Sequence, residues 1–162
     1  MRRSLICGLA VTAALIIGVC VAGCGSSGSS TTTTETTAAI TKAEFVAKGN
    51  AICVKGEKAQ EAEINAYVKE HGLENKKPTK AEQAEMVQTV FVPNIQSQID
   101  AVTALGAPSG EEPQVSSALE ISQQTLDKAK ANPSLFFGNE NLFAAAGKQL
   151  HALGLAACAP NS

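Results

Sequence analysis

The sequence predicts an all-α domain, most simply an antiparallel bundle of about four helices that carries one disulfide. Two observations predict this class. Apolar residues recur at three- and four-residue steps through four segments, and each segment has recognisable start or stop signals for a helix. No stretch alternates apolar and polar residues with the β-branched content of a strand. The chain has 162 residues, which is enough for one domain.

Residues 1–23 have the layout of a signal peptide for export. Two arginines precede an uncharged apolar run over residues 5–21. The motif Val21-Ala22-Gly23-Cys24 resembles the lipobox of bacterial lipoproteins, whose cysteine receives diacylglycerol and palmitate and becomes the first residue of the mature chain. The resemblance implies a lipid anchor on Cys24 at the extracytoplasmic face of the cell membrane. An uncleaved anchor helix is one alternative, because the apolar run is about long enough to span a bilayer. A soluble secreted form is the other.

Residues 24–39 are predicted to form a disordered tether that begins at the lipidated Cys24. The stretch from Gly25 to Thr37 has no aliphatic or aromatic side chain. It therefore cannot bury enough apolar surface to offset the cost of ordering the chain, about 1–2 kcal/mol per residue. Its Ser and Thr content is typical either of a bare spacer or of an O-glycosylated stalk.

The helical domain is expected at residues 40–162, and its first helix at about residues 42–70. The motif Thr41-x-x-Glu44 matches a capping box at the helix start. Gly49 and Gly56 are seven residues apart and share one helix face. We expect this face to allow close approach, either of another part of the domain or of a ligand.

The second helix is expected to run from Thr79 to about Gly106. It starts at another capping box, Thr79-x-x-Glu82. Pro93 lies inside its apolar pattern, lacks a backbone N–H and crowds the preceding turn. The sequence therefore predicts that this helix bends or restarts near Phe91.

Two further helices complete the predicted bundle. Pro113 suits the first turn of the third helix, which should end before Asn132. The fourth helix is expected to be capped by Asn139 or Asn141 and to end at Gly154.

Two cysteines would remain after removal of the leader and lipidation of Cys24. An even number of cysteines in an exported chain favours a disulfide, here between Cys53 and Cys158. Such a bond would tie the chain after the fourth helix to the first helix. Two free thiols, or a metal or redox site, are the alternatives. The metal alternative lacks ligands, because the sequence has neither CxxC nor HExxH.

Two segments of the domain resemble parts of a known group of proteins. Residues 45–53 (FVAKGNAIC) and 93–108 (PNIQSQIDAVTALGAP) are similar to segments of small, Ala-rich, Cys-paired helical lipoproteins of high-GC Gram-positive bacteria. No biochemical activity is assigned to that group. The resemblance implies a location and an architecture.

Charge and composition argue against several functions. The formal net charge of −2 provides no basic surface for a phosphate backbone, so we expect no nucleic-acid partner. No catalytic residue, metal ligand or cofactor site is predicted. His151 is the better of the two histidines for a catalytic role, but a histidine near a helix C-terminus more commonly complements the helix dipole.

One segment of the domain is a candidate binding patch. Leu135, Phe136, Phe137 and Phe143 concentrate apolar and aromatic side chains in an otherwise aromatic-poor chain. They could form the lip of an apolar pocket or a surface for a partner. The alternative is that the segment folds its aromatic rings inward and closes one end of the bundle.

These observations favour a non-catalytic extracytoplasmic lipoprotein that binds an envelope component or a protein partner. The alternative is a carrier that holds a small apolar molecule or a lipid between its helices. An enzyme is the least favoured class, because no paired functional groups are recognisable.

Overall fold

The computed structural model describes residues 39–138 and 141–159. The predicted signal peptide, Cys24 and nearly all of the predicted tether lie outside these residues. Within them the chain is helical and has no strand, which confirms the all-α class. No helix in these ranges is apolar over a length that could cross a membrane. The helices are α1 (Lys42–Glu70), α2 (Lys80–Met86), α3 (Val92–Thr103), α4 (Glu112–Ala131), α5 (Ser134–Gly138) and α6 (Ala144–Ala152).

The two predicted capping boxes are present and start α1 and α2. The Thr41 hydroxyl accepts a hydrogen bond from the Glu44 amide, and the Glu44 carboxylate accepts one from the Thr41 amide at 3.1 Å. Thr79 and Glu82 repeat this arrangement. Each box pairs backbone N–H groups that a helix start would otherwise leave without a partner. The helix α1 ends at Glu70, as predicted.

The second predicted helix consists of three pieces. A π-helical turn, Val87–Phe91, separates α2 from α3. The Val92 amide bonds to the Val87 carbonyl, five residues back, so the turn is one residue wider than an α-helical turn. Pro93 then lies in the first turn of α3, a position that proline tolerates.

The chain after α4 differs from the expected pattern. The helix α4 has Pro113 in its first turn and ends before Asn132, as predicted. The sequence did not predict α5, which is too short to show a helical period. The helix α6 begins at Ala144 after the N-cap residue Phe143, without a side-chain cap. The predicted cap at Asn141 is therefore wrong, and the other candidate, Asn139, lies outside the described residues.

The buried apolar side chains form two clusters. The first joins the end of α1 to α2, the π turn and α4, and includes Tyr67, Met86, Val87, Phe91 and Leu126. The second joins the start of α1 to α3, α4 and the chain after α6, and includes Phe45, Val102, Val115, Leu153 and Leu155.

The main contacts between elements form a closed ring. The helix α1 packs on α3, α3 on α4, and α4 on α6. A 3₁₀ turn, Ala156–Cys158, follows α6 and contacts both α6 and α1, so it completes the circuit.

A set of contacts that we call the α1 clamp joins the 3₁₀ turn to α1. The Asn50 side chain donates to the Gly154 carbonyl at 2.8 Å and accepts from the Ala157 amide at 2.8 Å. The buried Leu155 side chain occupies the space beside Gly49, where an added Cβ would lie 2.5 Å from Leu155 Cδ2. The third member of the clamp is a disulfide that closes 105 residues of chain, between Cys53 and Cys158. The predicted disulfide is thus confirmed.

The capping boxes predict how stability depends on pH. Hydrogen bonds from Thr41 lower the pKa of Glu44, and hydrogen bonds from Thr79 lower the pKa of Glu82. A carboxylate whose pKa is lower in the folded state stabilises that state above its unfolded pKa, and this stabilisation is lost as pH falls through the folded pKa.

We therefore expect the free energy of unfolding to decrease as pH falls below about 5. The double variant Glu44→Gln, Glu82→Gln keeps an amide at each cap but does not titrate there, so its decrease should be smaller. Urea unfolding across a pH series measures both profiles. Parallel profiles would contradict the assignment.

The α1 clamp predicts that one polar side chain, that of Asn50, contributes strongly to the free energy of unfolding. The variant Asn50→Ala leaves the Gly154 carbonyl and the Ala157 amide without their side-chain partner, and we expect it to lose about 2 kcal/mol of unfolding free energy. The control is Asn65→Ala, at an exposed position of the same helix. Urea unfolding of both variants checks the prediction, and equal losses would contradict it.

Candidate functional site

The ring of elements encloses a half-open cavity of about 530 Å³. Residues from α1, α3, α4, α5, α6 and the 3₁₀ turn all contribute to its lining. Slightly more than half of its exposed wall is apolar, with large side chains at Ile95, Ile99, Leu119, Phe143 and Leu150. Its volume lies in the range of about 300–1,000 Å³ that is typical of small-molecule sites.

The α1 clamp forms part of the cavity wall. Both Cys53 and Cys158 line the cavity, together with the neighbouring Ala157 and Ala159. The disulfide that closes the ring therefore also forms one side of the candidate site.

Four polar residues line the cavity. Glu57 and Gln60 lie on α1, four and seven residues after Cys53, so all three share one helix face. Glu57 is exposed and Gln60 is half-buried. Gln98 comes from α3 and Ser122 from α4. These residues place hydrogen-bonding groups among the apolar side chains of the wall.

Gln98 is held in place by contacts with α1. Its Nε2 donates to the Asn94 side chain at 2.7 Å, and Asn94 in turn donates to the Gly56 carbonyl at 3.1 Å. Gly56 makes room for the Gln98 side chain, because an added Cβ would lie 2.3 Å from Gln98 Cδ. Gly49 accommodates Leu155 in the same way, so both glycines of the shared face serve packing within the domain.

The candidate aromatic patch is divided between the cavity and the surface. The Phe136 ring lies 4.4 Å from the Phe91 ring and 6.0 Å from the Phe143 ring, and Phe136 and Phe143 line the cavity. Leu135 is half-buried, while Phe137 is 45% exposed. The Phe136 ring also lies 5.9 Å from the Phe137 ring, so the aromatic rings contact one another while only Phe136 and Phe143 line the cavity.

Neither histidine lines the cavity. His151 is exposed on α6. His71 ends α1, where its ring stacks on Tyr67 at 3.9 Å and its Nε2 lies 3.9 Å from a Glu85 oxygen. Its Nδ1 lies 2.9 Å from the Tyr67 carbonyl and donates to it. Sequence reasoning missed this group, because Tyr67 and His71 belong to the end of α1 whereas Glu85 belongs to α2.

The Tyr67 hydroxyl acts as a hydrogen-bond donor in the group that it forms with His71 and Glu85. Its hydroxyl donates to the Glu82 carbonyl at 3.0 Å and lies 3.3 Å from the Glu85 carboxylate. Burial raises the pKa of Tyr67, and the nearby Glu85 raises it further. A phenol held in its neutral form does not act as a base, and these contacts tie the end of α1 to α2.

Within residues 39–138 and 141–159, no group of three or more His, Cys, Asp and Glu side chains could hold a metal ion. No protein-family model, curated protein or solved structure matches the chain.

Because Phe136 lines the cavity and Phe137 does not, we expect their replacement by alanine to change the stability of the domain by different amounts. We expect Phe136→Ala to lose about 2–3 kcal/mol of unfolding free energy, because its ring packs on Phe91 in the first core cluster. Phe137→Ala should lose less than Phe136→Ala, because the Phe137 ring is the more exposed of the two and meets its neighbours only edge-on. Urea unfolding compares the two, and a larger loss for Phe137→Ala would overturn this description of the patch.

Proposed function

We propose that the chain is a lipid-anchored, non-catalytic binding protein whose cavity holds an apolar or amphipathic small molecule of the cell envelope. The cavity of about 530 Å³ carries this proposal. Its wall combines large apolar side chains with polar groups in nearly equal exposed area, which suits an amphipathic molecule with an apolar body and a polar end. This favours the carrier alternative over recognition through an aromatic surface patch.

The proposed location is the extracytoplasmic face of the membrane. The lipobox resemblance supports removal of residues 1–23 and attachment of acyl chains to Cys24, with residues 24–39 as a tether. Two or more acyl chains hold a protein firmly on a bilayer, because each buried CH₂ contributes about 0.8 kcal/mol. The Cys53–Cys158 disulfide supports the same location, because such bonds persist in oxidising compartments.

The absence of catalysis is also part of the proposal. Glu57 is the one lining residue, in the described part of the chain, whose side chain can gain or lose a proton. Acid–base and nucleophilic catalysis usually need a second functional group within hydrogen-bond reach. An isolated exposed carboxylate on an apolar wall suits ligand orientation better.

The proposed architecture is an antiparallel bundle of four helical segments. These are α1, the combined α2–α3 segment with a bend near Pro93, α4, and α6. The circuit of contacts from α1 through α3 and α4 to α6 supports the bundle. The π turn before Pro93 supports the bend, because π-helical turns are a common cause of kinks.

A protein partner is the second candidate. The exposed Phe137 ring, beside the half-buried Leu135, is the observation that favours it. Exposed aromatic rings are frequent anchors in protein interfaces.

Native mass spectrometry of the protein, released from its own membranes in mild detergent, tests the proposal. We expect a chain that begins at Cys24, carries acyl chains and retains one non-covalently bound small molecule. Ser122→Leu should reduce the bound fraction about tenfold, because a leucine on the cavity wall takes up ligand space. The control is Ser116→Leu, the same substitution at an exposed position of α4.

Three outcomes would overturn parts of this proposal. A wild-type chain with acyl groups and no bound molecule would contradict the cavity function. A bound protein that is lost in Phe137→Ala would replace the cavity with the second candidate. A chain that still begins at Met1 would contradict processing at the lipobox.

A further inference from the structure

We propose that the cavity selects a single-chain amphiphile whose polar end donates hydrogen bonds, an aliphatic amine above all, and rejects chains with an anionic head. This inference rests on the proposed function and specifies the ligand class of the same cavity. It follows from the charge of the cavity lining and from the direction of the hydrogen bonds that its polar groups already make.

The cavity lining carries a negative charge and no positive one. Its one charged side chain, in the described part of the chain, is Glu57, and no lysine, arginine or histidine lines it. A carboxylate or phosphate head would therefore meet a like charge without a compensating cation. An ammonium head would meet an opposite charge.

Three of the four polar side chains of the cavity favour accepting a hydrogen bond from a ligand over donating one. The Ser122 hydroxyl donates to the Ala118 carbonyl of its own helix at 2.8 Å. The Gln98 Nε2 donates to Asn94 at 2.7 Å. Glu57 is a carboxylate, which only accepts. The Ser122 hydroxyl and one Gln98 N–H are thus engaged inside the protein, while Gln60 carries both a donor and an acceptor. The Glu57 carboxylate is the group that decides the preference, and a ligand that supplies its own donor matches it better.

The position of Glu57 places the selecting charge at the cavity mouth. Glu57 is exposed, whereas Cys53, one helical turn earlier on the same face of α1, is buried in the wall. An amphiphile with its apolar body along the inner wall would keep its head near Glu57 and water. The head thus avoids the large cost of burying an ammonium group in an apolar site.

Displacement of a neutral fluorescent probe tests the proposal with the mature lipidated chain in a neutral detergent. The probe is N-phenyl-1-naphthylamine, and signal from detergent alone is subtracted. Three competitors share one chain length and differ only in the head: decylamine, decanol and decanoate. We expect decylamine to displace the probe at about threefold lower concentration than decanol, the size of effect that an exposed charge pair produces. Decanoate should require about tenfold more than decanol.

Two variants test whether the charge of Glu57 causes the preference among the three head groups. Glu57→Gln keeps a hydrogen-bonding side chain but removes the charge, so decylamine and decanol should become equal and decanoate should improve. Glu63→Gln makes the same change at an exposed position of α1 that does not line the cavity, and it should leave the wild-type order unchanged. Thermal midpoints equal to that of the wild type would show that both variants are folded.

The outcomes separate this inference from the proposed function. Decanoate that competes as well as decanol, or an order that Glu57→Gln does not change, would overturn the inference and leave the cavity function standing. A probe that binds the wild type no better than Ser122→Leu, and that none of the three compounds displaces, would overturn the cavity function and the inference together.

Discussion

The attachment of the 3₁₀ turn to α1 is the interaction on which the rest of this fold depends. The helix α6 packs on α4, but the ring of elements closes only where Asn50, Leu155 and the Cys53–Cys158 bond join the turn to α1. The same segment of chain supplies Leu153 and Leu155 to the second core cluster. One short connection therefore fixes part of the core and one wall of the cavity at once.

The cavity exists in part because many residues of its wall have small side chains. Several wall positions that could hold large residues in a fully packed bundle are alanines, among them Ala144, Ala146, Ala157 and Ala159. Protein interiors normally fill such space, because contacts across a void are lost. Here the backbone is held apart by larger residues in the two core clusters, so the space between them persists as a cavity.

Local signals in the sequence were enough to predict most helix boundaries. They were not enough to predict the cavity. The capping boxes at Thr41 and Thr79 predicted two helix starts, because both partners of each box lie within one turn. The disulfide followed from the number of cysteines and the predicted export. The predicted cap of α6 was wrong, because this helix follows the N-cap residue Phe143, whose side chain makes no capping hydrogen bond and so leaves no local signal in the sequence. The locking of Gln98 against Gly56, and with it the cavity, depends on residues that meet only after the helices pack.

The disulfide in the cavity wall also bears on the cellular compartment in which the proposed ligand would bind. Cytosolic thiols are kept reduced, so the ring of a newly made chain would be sealed covalently only after Cys53 and Cys158 reach an oxidising environment. Under the proposed export, a site completed in that order would take up its occupant outside the cytoplasm. The proposed cargo would then come from the envelope itself, and molecules made inside the cell would reach the site only after crossing the membrane by another route.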